Sequence, residues 1–202
     1  EHPKSEQRRN WKEKLTADDA DDLSRQFISE SRTSLTFFGY PTIRLFGLFA
    51  KIPFRTKVTG LEKLPNSGPF VICPNHVSYL DPFLLCSVLP FHVIRDIFIL
   101  GYTDYLQGPI VSRLAASVNL VPVDPNANLN RAMRISAVGL RRDRILLVFP
   151  EGERSFDGGL TEFKKGSAIL SIELNTPLVP VGIKGTYEAW PRGGRLRPHP
   201  VE

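Results

Sequence analysis

The chain has 202 residues, 42% hydrophobic, 23% charged and 10% aromatic. That is enough for one domain with a sizeable core, and it excludes an intrinsically disordered polypeptide. A formal net charge of +5 and a pI of about 9.4 favour anionic partners: nucleic acid, anionic lipid or phosphorylated small molecules.

Residues 1–33 are polar and charged and read as a linker or N-terminal extension. The composition changes at Ser34. The stretch 34–54, SLTFFGYPTIRLFGLFAKIPF, carries Phe37, Phe38, Tyr40, Phe46, Phe49 and Phe54, and Pro41 and Pro53 punctuate it. No stretch of the chain reaches the roughly 18 uninterrupted apolar residues of a spanning helix, and no signal-peptide pattern opens it. Residues 34–54 are instead expected to lie in a bilayer interface, apolar face down, with Arg44, Lys51 and Arg55 among lipid phosphates. The plainer reading is a helix that packs on the core.

From there on, strand-like and helix-like segments alternate. GPFVICP (68–74), DIFIL (96–100), VNLVPV (118–123), RILLVFP (144–150) and PLVPVGIKG (177–185) read as strands. PFLLCSVL (82–89), PIVSRLAAS (109–117), residues 128–142 and KKGSAILSIEL (164–174) read as helices. In 128–142 the core face is assigned to Leu129, Met133, Ile135 or Ser136, and Leu140. The alternation predicts a single α/β domain over 55–202, with a central mostly parallel or mixed sheet flanked by helices. The chain begins at Glu1 and stops at Glu202 after an apparent loop, and is taken as a segment of a longer protein, incomplete at its C-terminal end.

Two stretches follow strand ends, where α/β sheets bind ligands. The first is PNHVSYLDPF (74–83), with His76 five positions before Asp81. On a continuous helix these residues would lie about 140° apart. Pro82 biases Asp81 away from helical angles, and Asp81-Pro82 suits an N-cap followed by proline. Residues 74–81 are therefore expected to form a loop that folds His76 back onto Asp81. An imidazole can take a proton from a hydroxyl at neutral pH, and a carboxylate on its other nitrogen fixes the tautomer. The bland alternative is a capping aspartate and a loop histidine; taken alone, the motif leaves both open. Cys73 is weighed as a nucleophile and set aside as a small residue ending a buried strand. Two cysteines, Cys73 and Cys86, make neither a disulfide framework nor a zinc cluster, and fit a reducing compartment.

The second stretch is FPEGERSFDGG (149–159). Glu151 and Arg154 sit in a turn with Gly152, and Arg154 offers a planar fork suited to phosphate. Lys164, Lys165 and Gly166 open the next helix, where free backbone N–H groups favour an anion. The competing reading is a solvated loop with a surface ion pair of little value.

Together, NHVSYLD and FPEGERS closely resemble the paired blocks of the glycerolipid acyltransferase family, N-H-x-x-x-x-D and F-P-E-G-x-R-S, and TPLVPVGIKG (176–185) matches a third block. The resemblance covers roughly residues 55–185 and implies the glycerol-phosphate acyltransferase-like α/β fold. It implies His76 as general base on the acceptor hydroxyl and Asp81 as its orienting carboxylate. It implies Glu151, Gly152 and Arg154 at the acceptor site, and Asn75, Ser78, Ser155, Lys165 and Gly166 as further substrate-binding positions. No metal and no cofactor is implied, only acyl-CoA or acyl-carrier protein as co-substrate. The expected acceptor is a lysophospholipid, foremost 1-acyl-glycerol-3-phosphate, met at the cytoplasmic face of a membrane by a peripheral or monotopic protein. One block departs: where many family members carry an acidic or amide residue followed by arginine, Asp124 precedes Pro125 here and the nearest arginine is Arg131. That leaves the acceptor head group open. A non-catalytic lipid- or acyl-thioester-binding module is the alternative function. A nucleic-acid partner is not expected, since the arginines at 131–144 and 192–197 lack interleaved aromatics.

Overall fold

The computed structural model describes Trp11, Glu13, Leu15 and residues 33–102, 120–123 and 129–202. The expected helix at 109–117 and the departing block at 124–126 lie outside the described residues. The elements in chain order are α1 (Thr33–Phe54), β1 (Phe70–Pro74), α2 (Asp81–Val88), α3 (Phe91–Asp96), β2 (Ile97–Tyr102), β3 (Leu120–Val123), α4 (Leu129–Arg141), β4 (Ile145–Leu147), α5 (Gly166–Glu173), β5 (Leu178–Val181) and α6 (Thr186–Ala189).

The five strands form one sheet in the order β3-β2-β4-β1-β5, and every pairing is parallel. The mixed alternative is thus resolved to all-parallel. Such a sheet is covered on both faces, so its inner strands are apolar at every position. Phe70, Ile72, Ile97, Ile99, Ile145 and Leu147 point to one side, against Leu85 and Cys86 of α2 and Val93 and Ile94 of α3. Val71, Cys73, Phe98, Val121 and Leu146 point to the other, against Ala132, Met133, Ile135 and Leu140 of α4 and Leu170 of α5. The result is a three-layer helix–sheet–helix domain.

Several expected details change. Leu129 is exposed rather than in the core, because the buried face of α4 begins a turn later at Ala132 and Met133. β4 and β5 are shorter than the apolar runs that announced them. Among the described residues of the polar stretch 1–33, Leu15 is buried against α4, Trp11 packs beside it, and Arg141 Nη1 donates to the Leu15 carbonyl. α1 is one continuous helix despite Pro41 and Pro53. It rests on α2 with Gly47 against Ser87. Arg44, expected among lipid phosphates, donates from Nη1 to the Ser87 carbonyl at 2.9 Å. No helix among the described residues is long and apolar enough to cross a membrane.

Candidate active site

β1 ends at Pro74 and β4 at Leu147, side by side in the sheet, so the loops after them meet. Asn75 locks the first loop in place: its side chain donates to the Ile183 carbonyl at 3.0 Å and accepts from the Ile183 N–H at 2.6 Å. His76 follows. Its Nδ1 lies 2.8 Å from Asp81 Oδ2. An ionised carboxylate only accepts, so Nδ1 carries the proton and Nε2 holds the lone pair. The ring stacks on Phe149 with centroids 3.9 Å apart and planes 21° apart, and its side chain keeps 17% exposure. One ring face and one nitrogen are thus fixed, and the basic nitrogen is left for a ligand.

Asp81 is fully buried. Its Oδ2 also accepts the backbone N–H groups of Val77 at 2.7 Å and Ser78 at 2.8 Å. The expected N-cap is corrected here. Leu80 is the N-cap of α2, and the Asp81 carboxylate turns back to the preceding amides instead of forward to its own helix. Three donors converge on one oxygen, and the loop 76–81 is wrapped around that point. Charge-assisted bonds of this kind are the strong ones.

Glu151 is 2% exposed. Its Oε1 accepts the His76 backbone N–H at 2.7 Å, and its Oε2 accepts both the N–H and the hydroxyl of Thr161 at 2.9 Å. The Ser155 N–H donates to the His76 carbonyl at 2.8 Å. The two sequence blocks are therefore stitched together through the backbone of His76. Gly152 has φ 78°, a left-handed turn that favours glycine, and a Cβ there would sit 2.9 Å from Lys164 Cε. Lys164, not Lys165, lies over the turn; Lys165 is the N-cap of α5 and Gly166 its first residue, packed near Met133.

Ser78 and Ser155 are buried and engaged within the chain. Ser78 Oγ donates to the Trp190 carbonyl at 2.7 Å, and Ser155 Oγ bonds Asp157 Oδ1 at 3.0 Å. Arg154 is half-buried, its guanidinium carbon 3.5 Å above the Tyr79 ring. Tyr79 in turn meets Trp190 at 5.1 Å. Sequence reasoning passed over Phe149, Thr161, Tyr79 and Trp190. Phe149 and Tyr79 stand inside the quoted blocks and were legible as site neighbours; Thr161 and Trp190 carried no signal.

Burial pushes the Cys73 thiol up, and pushes Cys86 up to about 12, so both are neutral thiols at neutral pH and neither is an activated nucleophile. Among the described residues no three His, Cys, Asp or Glu side chains gather as a metal site requires. A cleft of about 440 Å³ is lined by Glu151, Thr161, Phe163, Lys164 and Lys165 among others. It includes neither His76 nor Arg154.

Fold and site define an α/β domain with a histidine–carboxylate pair at the carboxyl ends of its strands. Residues 55–184 match the family described as Acyltransferase. A chloroplastic 1-acyl-sn-glycerol-3-phosphate acyltransferase of Brassica napus is 30% identical over 155 residues, 74% of this chain and 43% of that protein. Its Arabidopsis thaliana counterpart is 30% identical over 179 residues, 79% of this chain and 49% of that protein. The chain spans about half the length of these curated relatives. The crystal structure of the 1-acyl-sn-glycerophosphate acyltransferase PlsC from Thermotoga maritima superposes with a TM-score of 0.70 at 27% identity, covering 88% of this chain and 71% of that one. The chain belongs to the acyltransferase family.

Proposed function

We propose that this domain moves a fatty acyl group from an acyl thioester, acyl-CoA or acyl-carrier protein, to the free hydroxyl of a lysophospholipid, foremost 1-acyl-glycerol-3-phosphate, in phospholipid biosynthesis. The observation that carries the reading is His76, held by Asp81 on one nitrogen and by Phe149 on one face, with Nε2 left over. Nε2 takes the proton of the acceptor hydroxyl as its oxygen attacks the thioester carbonyl. The tetrahedral intermediate collapses, the C–S bond breaks, and the imidazolium returns its proton to the leaving thiolate. Asp81 stabilises the imidazolium in between. Arg154 grips the acceptor phosphate; Asn75, Ser78, Glu151, Gly152 and Ser155 hold the two loops in register, and Lys164 and Lys165 add positive charge beside the turn. The step needs no cofactor beyond the thioester itself. The likeness to 1-acyl-sn-glycerol-3-phosphate acyltransferases favours the lysophosphatidate acceptor.

We place the domain peripherally on the cytoplasmic face of a membrane. α1 supports this: Leu45, Leu48, Phe49 and Ile52 are 52–80% exposed along one helical stripe, where an interfacial helix needs apolar surface.

The test is a labelled acyl-transfer assay with both donor types against lysophosphatidate, other lysophospholipids and glycerol 3-phosphate. His76→Ala is expected to lose about 10²–10⁴-fold in kcat while keeping the wild-type melting temperature. Full activity in His76→Ala would sink the mechanism. Saturable lysolipid binding with no turnover by wild type on either donor would favour a binding module instead.

A further inference from the structure

We infer that Tyr79 is a positioning residue for Arg154, and that Trp190 holds Tyr79 in place for it. This rests on the reading of Arg154 as the grip on the acceptor phosphate.

Tyr79 stands between Ser78 and Leu80, both buried, yet is itself 36% exposed. The ring is therefore not there to fill the core. One side of it carries the Arg154 guanidinium, its carbon 3.5 Å from the ring centroid. Trp190 meets the ring at 5.1 Å with planes tilted by 38°. Trp190 is itself anchored: its N–H donates to the Thr186 carbonyl at 2.8 Å and its carbonyl accepts Ser78 Oγ at 2.7 Å. It also packs against the cluster of Ala50, Leu80 and Leu84. A chain of support thus runs from the core through Trp190 and Tyr79 to Arg154.

An arginine must give up rotamer freedom to grip a phosphate, and one already stacked flat has given it up beforehand. Stacking uses the face of the guanidinium and none of its five N–H donors, which lie at its edge. The ring thus orients Arg154 without competing for the ligand. Tyr79 shares its loop with His76, so the same short loop between β1 and α2 aims the base and the phosphate grip together.

The experiment is steady-state kinetics with lysophosphatidate varied, on wild type, Tyr79→Ala, Tyr79→Leu, Tyr79→Phe, Arg154→Ala and Tyr79→Ala/Arg154→Ala. Tyr79→Ala is expected to raise the KM for lysophosphatidate roughly three- to thirtyfold, the range of a cation–π contact, with kcat and the donor KM held. Tyr79→Leu, which keeps apolar bulk without the ring, is expected to match it. Tyr79→Phe is expected to restore the wild-type KM. In the Arg154→Ala background, Tyr79→Ala is expected to add nothing, because Tyr79 acts only through Arg154. Additive losses in the double variant, a fall in kcat with KM unchanged, or failure of Tyr79→Phe to rescue would each overturn the inference. If Arg154→Ala itself leaves the KM for lysophosphatidate unchanged, the phosphate-grip reading fails and the inference with it. If Arg154→Ala raises that KM while Tyr79→Ala does not, only the inference fails.

Discussion

At the scale of single residues, Glu151 shows how much a buried carboxylate can organise within its own chain. Both its oxygens face N–H or O–H donors of the chain: the His76 amide on one side, the Thr161 amide and hydroxyl on the other. Glu151→Gln keeps the shape but turns one acceptor into a donor, which must then face a donor in either orientation. The expected cost is about 1–3 kcal/mol of stability, with a loss of kcat because the His76 backbone loosens. Thermal unfolding and initial rates would check this; wild-type values for both would show that the bridge is idle. This role was not legible in the sequence. Glu151 reads as an acceptor-site residue or a surface partner of Arg154, because the partners it takes within the chain are two backbone amides, which every residue offers, and one threonine hydroxyl. The His76–Asp81 contact was legible, because Pro82 disfavours a helix continuing upstream through 76–81, which would separate them. Asp81 as a cap was the natural misreading: its carboxylate had amides on both sides to choose from and took the upstream pair.

At the scale of elements, α1 has two unlike faces. Gly47, Ala50 and Phe54 are buried, and a Cβ on Gly47 would stand 2.6 Å from Ser87 Cβ. Leu45, Leu48, Phe49 and Ile52 recur at i, i+3, i+4 and i+7 on the exposed side. Leu48→Ser/Phe49→Ser/Ile52→Ser is expected to lower partitioning onto phospholipid vesicles by at least about tenfold, since each buried apolar side chain contributes roughly 1.5–3 kcal/mol. Its melting temperature should stay at the wild-type value, because none of the three packs in the core. Vesicle flotation decides it: undiminished binding would remove α1 as the membrane contact. The two sides of α1 were only half legible. The sequence shows a crowd of apolar residues, but which of them meet α2 depends on a long-range contact. The central strands were easier, because apolar residues at every position between Pro and Gly leave no other place for them in an α/β chain. α3 went unread: FHVIRD is six residues long, too short to display a helical period.

At the scale of the whole molecule, strand order was beyond the sequence, since the pairing of β1 with both β4 and β5 joins segments some 75 to 107 residues apart and leaves no local trace. The same is true of how the ends of the domain close. Val201 donates its N–H to the Phe54 carbonyl at 2.8 Å and accepts from the Lys57 N–H at 2.9 Å. Glu202 exchanges two backbone bonds with Lys184, at 2.8 and 3.1 Å. The segment around Val201 thereby fastens the end of α1 to the stretch after β5 that carries Asn75's partner, Ile183. Val201 is 5% exposed and shares a cluster with Ala50, Phe54, Leu84 and Leu80, the neighbour of Asp81 in the chain. Val201 is thus part of the core that also holds Leu80, beside Asp81. Val201→Ala is expected to cost on the order of 2 kcal/mol through the cavity it leaves, a fall of about 4–8 °C in melting temperature for a chain of this size. Leu196→Ala, at a side chain 53% exposed on the same segment, should shift stability by no more than about 0.5 kcal/mol. Calorimetric scans of the two variants side by side separate the possibilities. Equal, small shifts would mean that residues 196–202 only lie along the surface; a large shift confined to Val201 would mean that the site, α1 and β5 share one closed core.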